Sequence, residues 1–378
     1  MNQQANTSLE SEVTVEGHRH NNFWESVYDK NVVLTNFLEI KINDIPLRMK
    51  NGNHLKNYIV DIKLSEIRDR IYIKDATFDE CDIRGNNGGI KITFKNCTFK
   101  KVYFGNSQIN DVNFESCEFY NCSFSLTRFY RCSFDHHCIF NNISISGGRT
   151  IFKDCVITPS KLLKHTYQYA TEDYCIQHKL DLQHQVYRMN LSIAKLARTL
   201  LTSVSTAGDD DDYYDAIKHL FKSRIAERKS KKLFLAEQFR TQASASESKA
   251  SRLIAKTKHF YHLYTSPFYH MENFFMNIFG FINGWGGSFI RCIVFGLSIL
   301  IVYALVYFQS MPIVLENPFL LAITKSIDIT FVAGYTKHSV SSDDLGLQIV
   351  HISNMLLGLA WYAVSIPTVV NKICLARV

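Results

Sequence analysis

Every fifth residue from Phe94 onward is large and apolar: Phe94, Phe99, Phe104, Ile109, Phe114, Phe119, Phe124, Phe129, Phe134 and Ile139. A helix repeats every 3.6 residues and a flat strand every two, so neither gathers these side chains on one face. Two residues before each stands a mostly small one: Ile92, Cys97, Val102, Ser107, Val112, Cys117, Cys122, Thr127 and Cys132, with His137 the exception. One large and one small inward residue per five predicts a square β-solenoid, one pentapeptide per side. Ala76-Phe78 and Cys81-Ile83 continue the register on the N-terminal side, offset by one residue through Asn86 to Gly89. Thr150-Phe152 and Cys155-Ile157 resume it after Ser146 to Arg149. The predicted rod spans 75–158, roughly four coils and about 20 Å at the inter-strand spacing. Residues 23 to 73, alternating in stretches such as Phe37-Leu38-Glu39-Ile40-Lys41-Ile42, supply its N-terminal cap in this reading, within a leading region 1–74.

Beyond Leu162 the period changes. Val186, Met189, Ile193, Leu196, Ala197 and Leu200 fall at helical spacing, and after a break at Ser203 to Gly208 the run Asp209 to Asp212 caps a second helix. Tyr213, Ala216, Ile217, Leu220 and Phe221 form its apolar face. The pair predicts an α-helical hairpin connector similar to one tetratricopeptide-type unit, and a polar stretch from Gln242 to Lys258 reads as a linker, the connector as a whole spanning 159–272. In 273–378 the pattern turns apolar. Cys292 to Phe308, extended by Phe289 and Ile290, reaches the ~20 residues that cross hydrocarbon, and Leu345 to Val370 is a second such run. Between them Pro318 to Ile329 reads as apolar and too short to cross. The predicted fold class is therefore mixed: a right-handed quadrilateral β-helix, a helical hairpin, and an all-α two-span membrane domain.

The ten unbroken repeats resemble the pentapeptide-repeat family over about 85 residues, in which the rod is usually a scaffold or binding surface. Seven of the chain's ten cysteines lie in it, between Cys81 and Cys155, at repeat spacings rather than as paired metal ligands, and read as small core residues. The cluster His136, His137 and Cys138 is set on one tight coil whose adjacent residues point different ways, so no metal site is expected there. Some members of that family mimic DNA through a strongly acidic surface. From Asp75 to Asp154 this chain has nine acidic and nine basic residues, which excludes the required field.

The short apolar stretch leads to Thr330-Phe331-Val332-Ala333-Gly334-Tyr335-Thr336-Lys337. A half-membrane helix followed by Gly-Tyr is the layout of a re-entrant pore loop, in which peptide carbonyls face an ion path. Two spans around such a loop resemble the smallest potassium-channel-like subunits, and the chain from about 75 to 370 resembles bacterial pentapeptide-repeat proteins that end in this module. The resemblance implies an ion-conducting homotetramer with Thr330, Val332, Ala333, Gly334, Tyr335, Thr336 and Lys337 at the selectivity filter. Against that family's TVGYGD, Val332 replaces the threonine, Thr336 the second glycine and Lys337 the acid, which leaves the conducted ion open. On the second span His351, Asn354, Gly358, Tyr362 and Ser365 fall within about 80° at 100° per residue, a face that would line or gate the pore or form a helix seam.

Formal net charge is +7, yet residues 222 to 258 hold eleven Lys or Arg against three Glu. That confinement argues against nucleic acid as partner and for a segment beside anionic membrane lipid. Met1 to His20 has no apolar core, and basic residues precede the first span and follow the second, at Lys256, Lys258, Lys372 and Arg377. The expectation is a multi-pass protein of the plasma (inner) membrane with both termini cytoplasmic. No phosphate loop, nucleophile with a placed base or metal-spaced ligand set is present, so neither an enzyme nor a cofactor is expected. Two functions emerge. One is an oligomeric ion channel gated through its β-helix by a cytoplasmic protein or small ligand; the other is a membrane-anchored interaction scaffold that moves no ion.

Overall fold

The computed structural model describes residues 11–17, 33–49, 52–63, 70–105, 107–145, 149–166, 181–246, 248–265, 267–310, 317–333, 338 and 345–375. The chain divides into two compact units, 1–272 and 273–378.

The first unit is built on a β-solenoid with four sheets, one per side. Strands one coil apart pair in parallel: Ile92 lies against Val112 and Phe94 against Phe114, while Phe99 lies against Phe119. The large residues Phe99, Phe104, Phe114, Phe119, Phe124 and Phe129 are buried. Rings in successive coils stack, Phe78 on Phe99 and Phe99 on Phe119 with centroids 4.9 Å apart, close to the coil rise. Corners need a left-handed residue, and Asn96, Lys101, Asp111, Ser116, Asn121, Leu126 and Arg131 supply it with φ between 50° and 63°. These residues lack glycine's freedom, so the strain is held by pairing on both sides.

The small inward residues also bond. The Cys117 thiol donates to the Phe94 carbonyl and that of Cys122 to Phe99, both at 3.3 Å, and Ser107 and Thr127 hydroxyls do the same to Ile83 and Phe104 at 2.6 and 2.8 Å. Each satisfies a carbonyl at the end of a side in the preceding coil.

The five-residue arithmetic fails at one corner. Ile139 is 47% exposed, and Phe140 takes the inward place opposite Phe119. Asp135 is the cause: its carboxylate accepts from the His137 amide and its carbonyl from that of Cys138, making a turn that holds one extra residue. Cys138 then points inward where His137 was expected, and the phenylalanine continues the ring stack, 5.2 Å from Phe119.

Parallel stacking begins ahead of Asp75. Strands His54–Lys56 and Tyr58–Asp61 lie in register on Thr77–Asp79 and Asp82–Arg84, and strand Val33–Lys41 pairs in parallel with Tyr58–Asp61. Strand Ser11–Gly17 then runs antiparallel to Val33–Lys41. Ile40, Ile42 and Ile45 close this end, the last on helix α1 (Ile45–Arg48).

At the other end helix α2 (Pro159–Lys164) inserts Leu162 and Leu163, and helix α3 (Leu182–Ala207) packs its Met189, Leu196, Ala197 and Leu200 face into the same core. The exposed sheet edge is covered by a side chain: Ser203 Oγ accepts from the Cys155 amide at 2.6 Å and donates to its carbonyl at 3.1 Å. Helix α3 therefore runs through the expected break at Ser203 and stops at Gly208. Asp209 caps helix α4 (Asp210–Ala245) by accepting from the Asp212 amide at 2.8 Å.

In the segment from Gln242 to Lys258, expected as a linker, residues 242–245 end α4 and residues 249–258 open a further helix. Helix α5 (Lys249–Thr265) turns back antiparallel along α4, with His259 Nδ1 2.8 Å from the Ala236 carbonyl and the His262 ring stacked on Phe239. The alanines and lysines there favour helix, and the aromatic contacts hold the return. Helix α6 (Phe268–Asn283) opens with Glu272 paired to Arg228.

In the second unit, helix α7 (Phe289–Gln309) and helix α9 (Leu345–Leu375) are long and apolar enough to cross a membrane, the latter over Leu345–Asn371, with mean hydropathies of 2.5 and 1.5. At 1.5 Å per residue, 21 residues of α7 extend about 31 Å. The shorter helix α8 (Pro318–Thr330) packs against both. Ile290, Val294, Leu297, Ile301 and Leu305 form an outward apolar stripe on α7.

Candidate functional site in the second unit

Where α8 meets the two long helices, the seam is polar. Asn354 is fully buried on α9; its Oδ1 accepts from Thr330 Oγ1 at 2.8 Å and its Nδ2 donates to the Tyr307 hydroxyl at 3.2 Å. Ser326, one turn earlier on α8, donates to the Leu300 carbonyl at 2.9 Å, so α8 is tied to α7 as well. In a low-dielectric interior an unmade bond of this kind is costly, and the network specifies one arrangement of the three helices.

Gly358 permits the approach. A Cβ there would lie 3.0 Å from the Thr330 carbonyl carbon and closer still to its oxygen. The glycine is thus a packing position beneath the last turn of α8. One further turn along, the Trp361 indole donates to the Cys292 carbonyl at 2.8 Å while its ring occupies the space over Gly296. Tyr303 donates to Ser353 at 2.9 Å.

The five positions expected on one face of the second span divide. His351, Asn354 and Gly358 are buried in the seam, while Tyr362 and Ser365 are partly exposed. The Tyr362 ring stands 5.7 Å from Phe331. Both ring nitrogens of His351 are buried without a hydrogen-bond partner among the described residues. Of the expected filter, Thr330 is buried and Val332 and Ala333 are exposed, Val332 with a left-handed φ of 60° as the chain leaves α8. Gly334, Tyr335, Thr336 and Lys337 lie outside the described residues.

Two charges qualify the apolar reading of Pro318 to Ile329. The Lys325 ammonium lies 5.1 Å from the Tyr307 ring centre, and the Asp328 carboxylate pairs with His338 at 3.2 Å. Each charge on α8 thus has a specific neighbour. Sequence reasoning also missed Tyr307, Ser326 and Trp361. The signal was there for the tyrosine, since Tyr303 and Tyr307 stand one turn apart in an otherwise apolar helix.

In the solenoid the Cys138 thiol donates to the Phe114 carbonyl at 3.3 Å, and burial pushes it up to about 12. On its outer surface Arg131 forks onto Asp111 with 2.6 and 2.7 Å contacts, which holds that carboxyl below its ordinary range. No curated protein matches this chain. Residues 94–136 match the family model of pentapeptide repeats, in nine copies, and the β-solenoid is thus a pentapeptide-repeat solenoid.

Proposed function

We propose that the protein is a subunit of an oligomeric membrane ion channel, its pore module formed by α7, α8 and α9 and its pentapeptide-repeat solenoid acting as a protein-interaction arm. The observation that carries this reading is a helix of 13 residues seated between two membrane-length helices, with its C-terminal Thr330 bonded to Asn354. A segment that short cannot cross, and non-helical backbone at membrane depth is tolerated only where protein or water receives it. The chain following Thr330 carries Gly334-Tyr335, whose carbonyls would face the ion path. One loop cannot surround an ion, so copies of this chain assemble, as a homotetramer by the likeness to two-span pore-loop subunits. Both termini are cytoplasmic in this arrangement, in the inner membrane, with a protein or small ligand acting on the solenoid.

Reconstitution of the full chain in planar bilayers tests it. Unitary currents are expected from the wild type and their loss from Gly334→Trp. A silent wild type, or currents that Gly334→Trp leaves unchanged, would refute the channel.

The repeat match favours a second reading, a membrane-anchored scaffold, because solenoids of this kind present long binding surfaces. It predicts no current from either protein and retention of solenoid-dependent binding in both.

A further inference from the structure

Near the turn between α4 and α5 a cavity of about 550 Å³ opens, lined by Arg240, Ala243, Ser244, Arg252, Lys256, His259 and Phe260. Its lining holds three full positive charges and no carboxylate among the described residues. Arg240 pairs with Glu237 at 2.6 Å, and the Arg252 guanidinium donates to the Ser246 carbonyl at 2.9 Å. Guanidinium forks and an ammonium around one space suit a phosphate ester.

The adjoining surface of α5 says which phosphate. Leu253, Ile254, Phe260, Tyr261 and Tyr264 are between 54% and 73% exposed. At 100° per residue they occupy an arc of about 120°, an apolar stripe beside the cations. A soluble phosphate has no use for such a stripe, whereas a lipid surface takes both. We infer that α5 is an interfacial helix whose stripe enters the bilayer boundary while Arg240, Arg252 and Lys256 hold the headgroup phosphate of an anionic phospholipid. Phe260, shared by cavity and stripe, lies where the glycerol would pass from one to the other. This site is separate from the pore module and stands whether or not ions move.

Native mass spectrometry of the detergent-solubilised full chain tests the site, titrating phosphatidic acid, phosphatidylcholine and glycerol phosphate. Phosphatidic acid is expected to bind more tightly than either. Arg252→Gln with Lys256→Gln, both at exposed helical positions, should weaken it about thirtyfold, since each cation at an anionic surface is worth roughly fivefold. Ile254→Ser with Tyr264→Ser should weaken the lipid and leave glycerol phosphate unchanged. Equal binding of phosphatidic acid and phosphatidylcholine, or unchanged affinity in the Gln pair, overturns the proposal. Glycerol phosphate binding as tightly as the lipid overturns the membrane source and assigns the cavity to a soluble phosphate.

Discussion

Replacing Gly358 with alanine probes the seam at its tightest point. The new Cβ would stand 3.0 Å from the Thr330 carbonyl carbon and 3.1 Å from its Cα, against ~3.5–4.0 Å for relaxed carbon contacts. The obstruction is backbone, so no side-chain rotation relieves it, and the last turn of α8 must retreat by roughly 0.5–1 Å. Overpacking of this kind costs about 1–3 kcal/mol. The same retreat stretches the 2.8 Å bond from Thr330 to Asn354, a further loss of about 1 kcal/mol. Alanine's better helix propensity returns about 1 kcal/mol. The net expectation is destabilisation by about 1–3 kcal/mol, and the sign is the test. Heating the detergent-solubilised full chain and measuring the folded fraction by size exclusion should show earlier loss in the variant. A variant as stable as the wild type, or more so, would mean that α9 does not pack on α8 here.

Phe119→Ala removes a ring stacked on Phe99 and Phe140 in a full interior and should cost about 3–5 kcal/mol, read by denaturant unfolding; a loss under about 1 kcal/mol would contradict continuous stacking. Ser203→Ala strips the last coil's edge of its cap, leaving the Cys155 amide and carbonyl without that partner, and should cost about 1–3 kcal/mol with earlier proteolysis after Cys155. Burial, and next the nearby Asp209 charge, raise the Asp212 carboxyl from 3.8 to about 6. The folded state then holds this proton between roughly pH 4 and 6 while the unfolded chain has released it, so stability falls as pH rises through that window and is level above it. Asp212→Asn should flatten the fall in a pH series of thermal melts, and an unchanged slope would assign it to another group.

Much of the solenoid was legible because its core rule is local. A coil places the same inward positions every five residues, so Phe94 to Phe134 declare the geometry without reference to anything distant. The rule failed where a turn absorbed an extra residue: Ile139 obeyed the spacing and Phe140 took the site, since the hydrogen bonds of Asp135 set the path. The return of α5 along α4 was hidden for a related reason. Alanine, serine and lysine carry little periodic signal, and what folds the segment back is contact between residues such as Phe239 and His262.

By itself the sequence determined the periods: five for the coils, 3.6 for the connector, and two long, mainly apolar runs, because each depends on neighbours along the chain. Tertiary structure decided which side of each helix is occupied and by what. Asn354 and Gly358 share an arc in any helix, yet only the packing of α8 shows one bonded to Thr330 and the other leaving room for its carbonyl. Such partners lie 24 and 28 residues apart, and no local pattern records a contact that forms only when three helices close together.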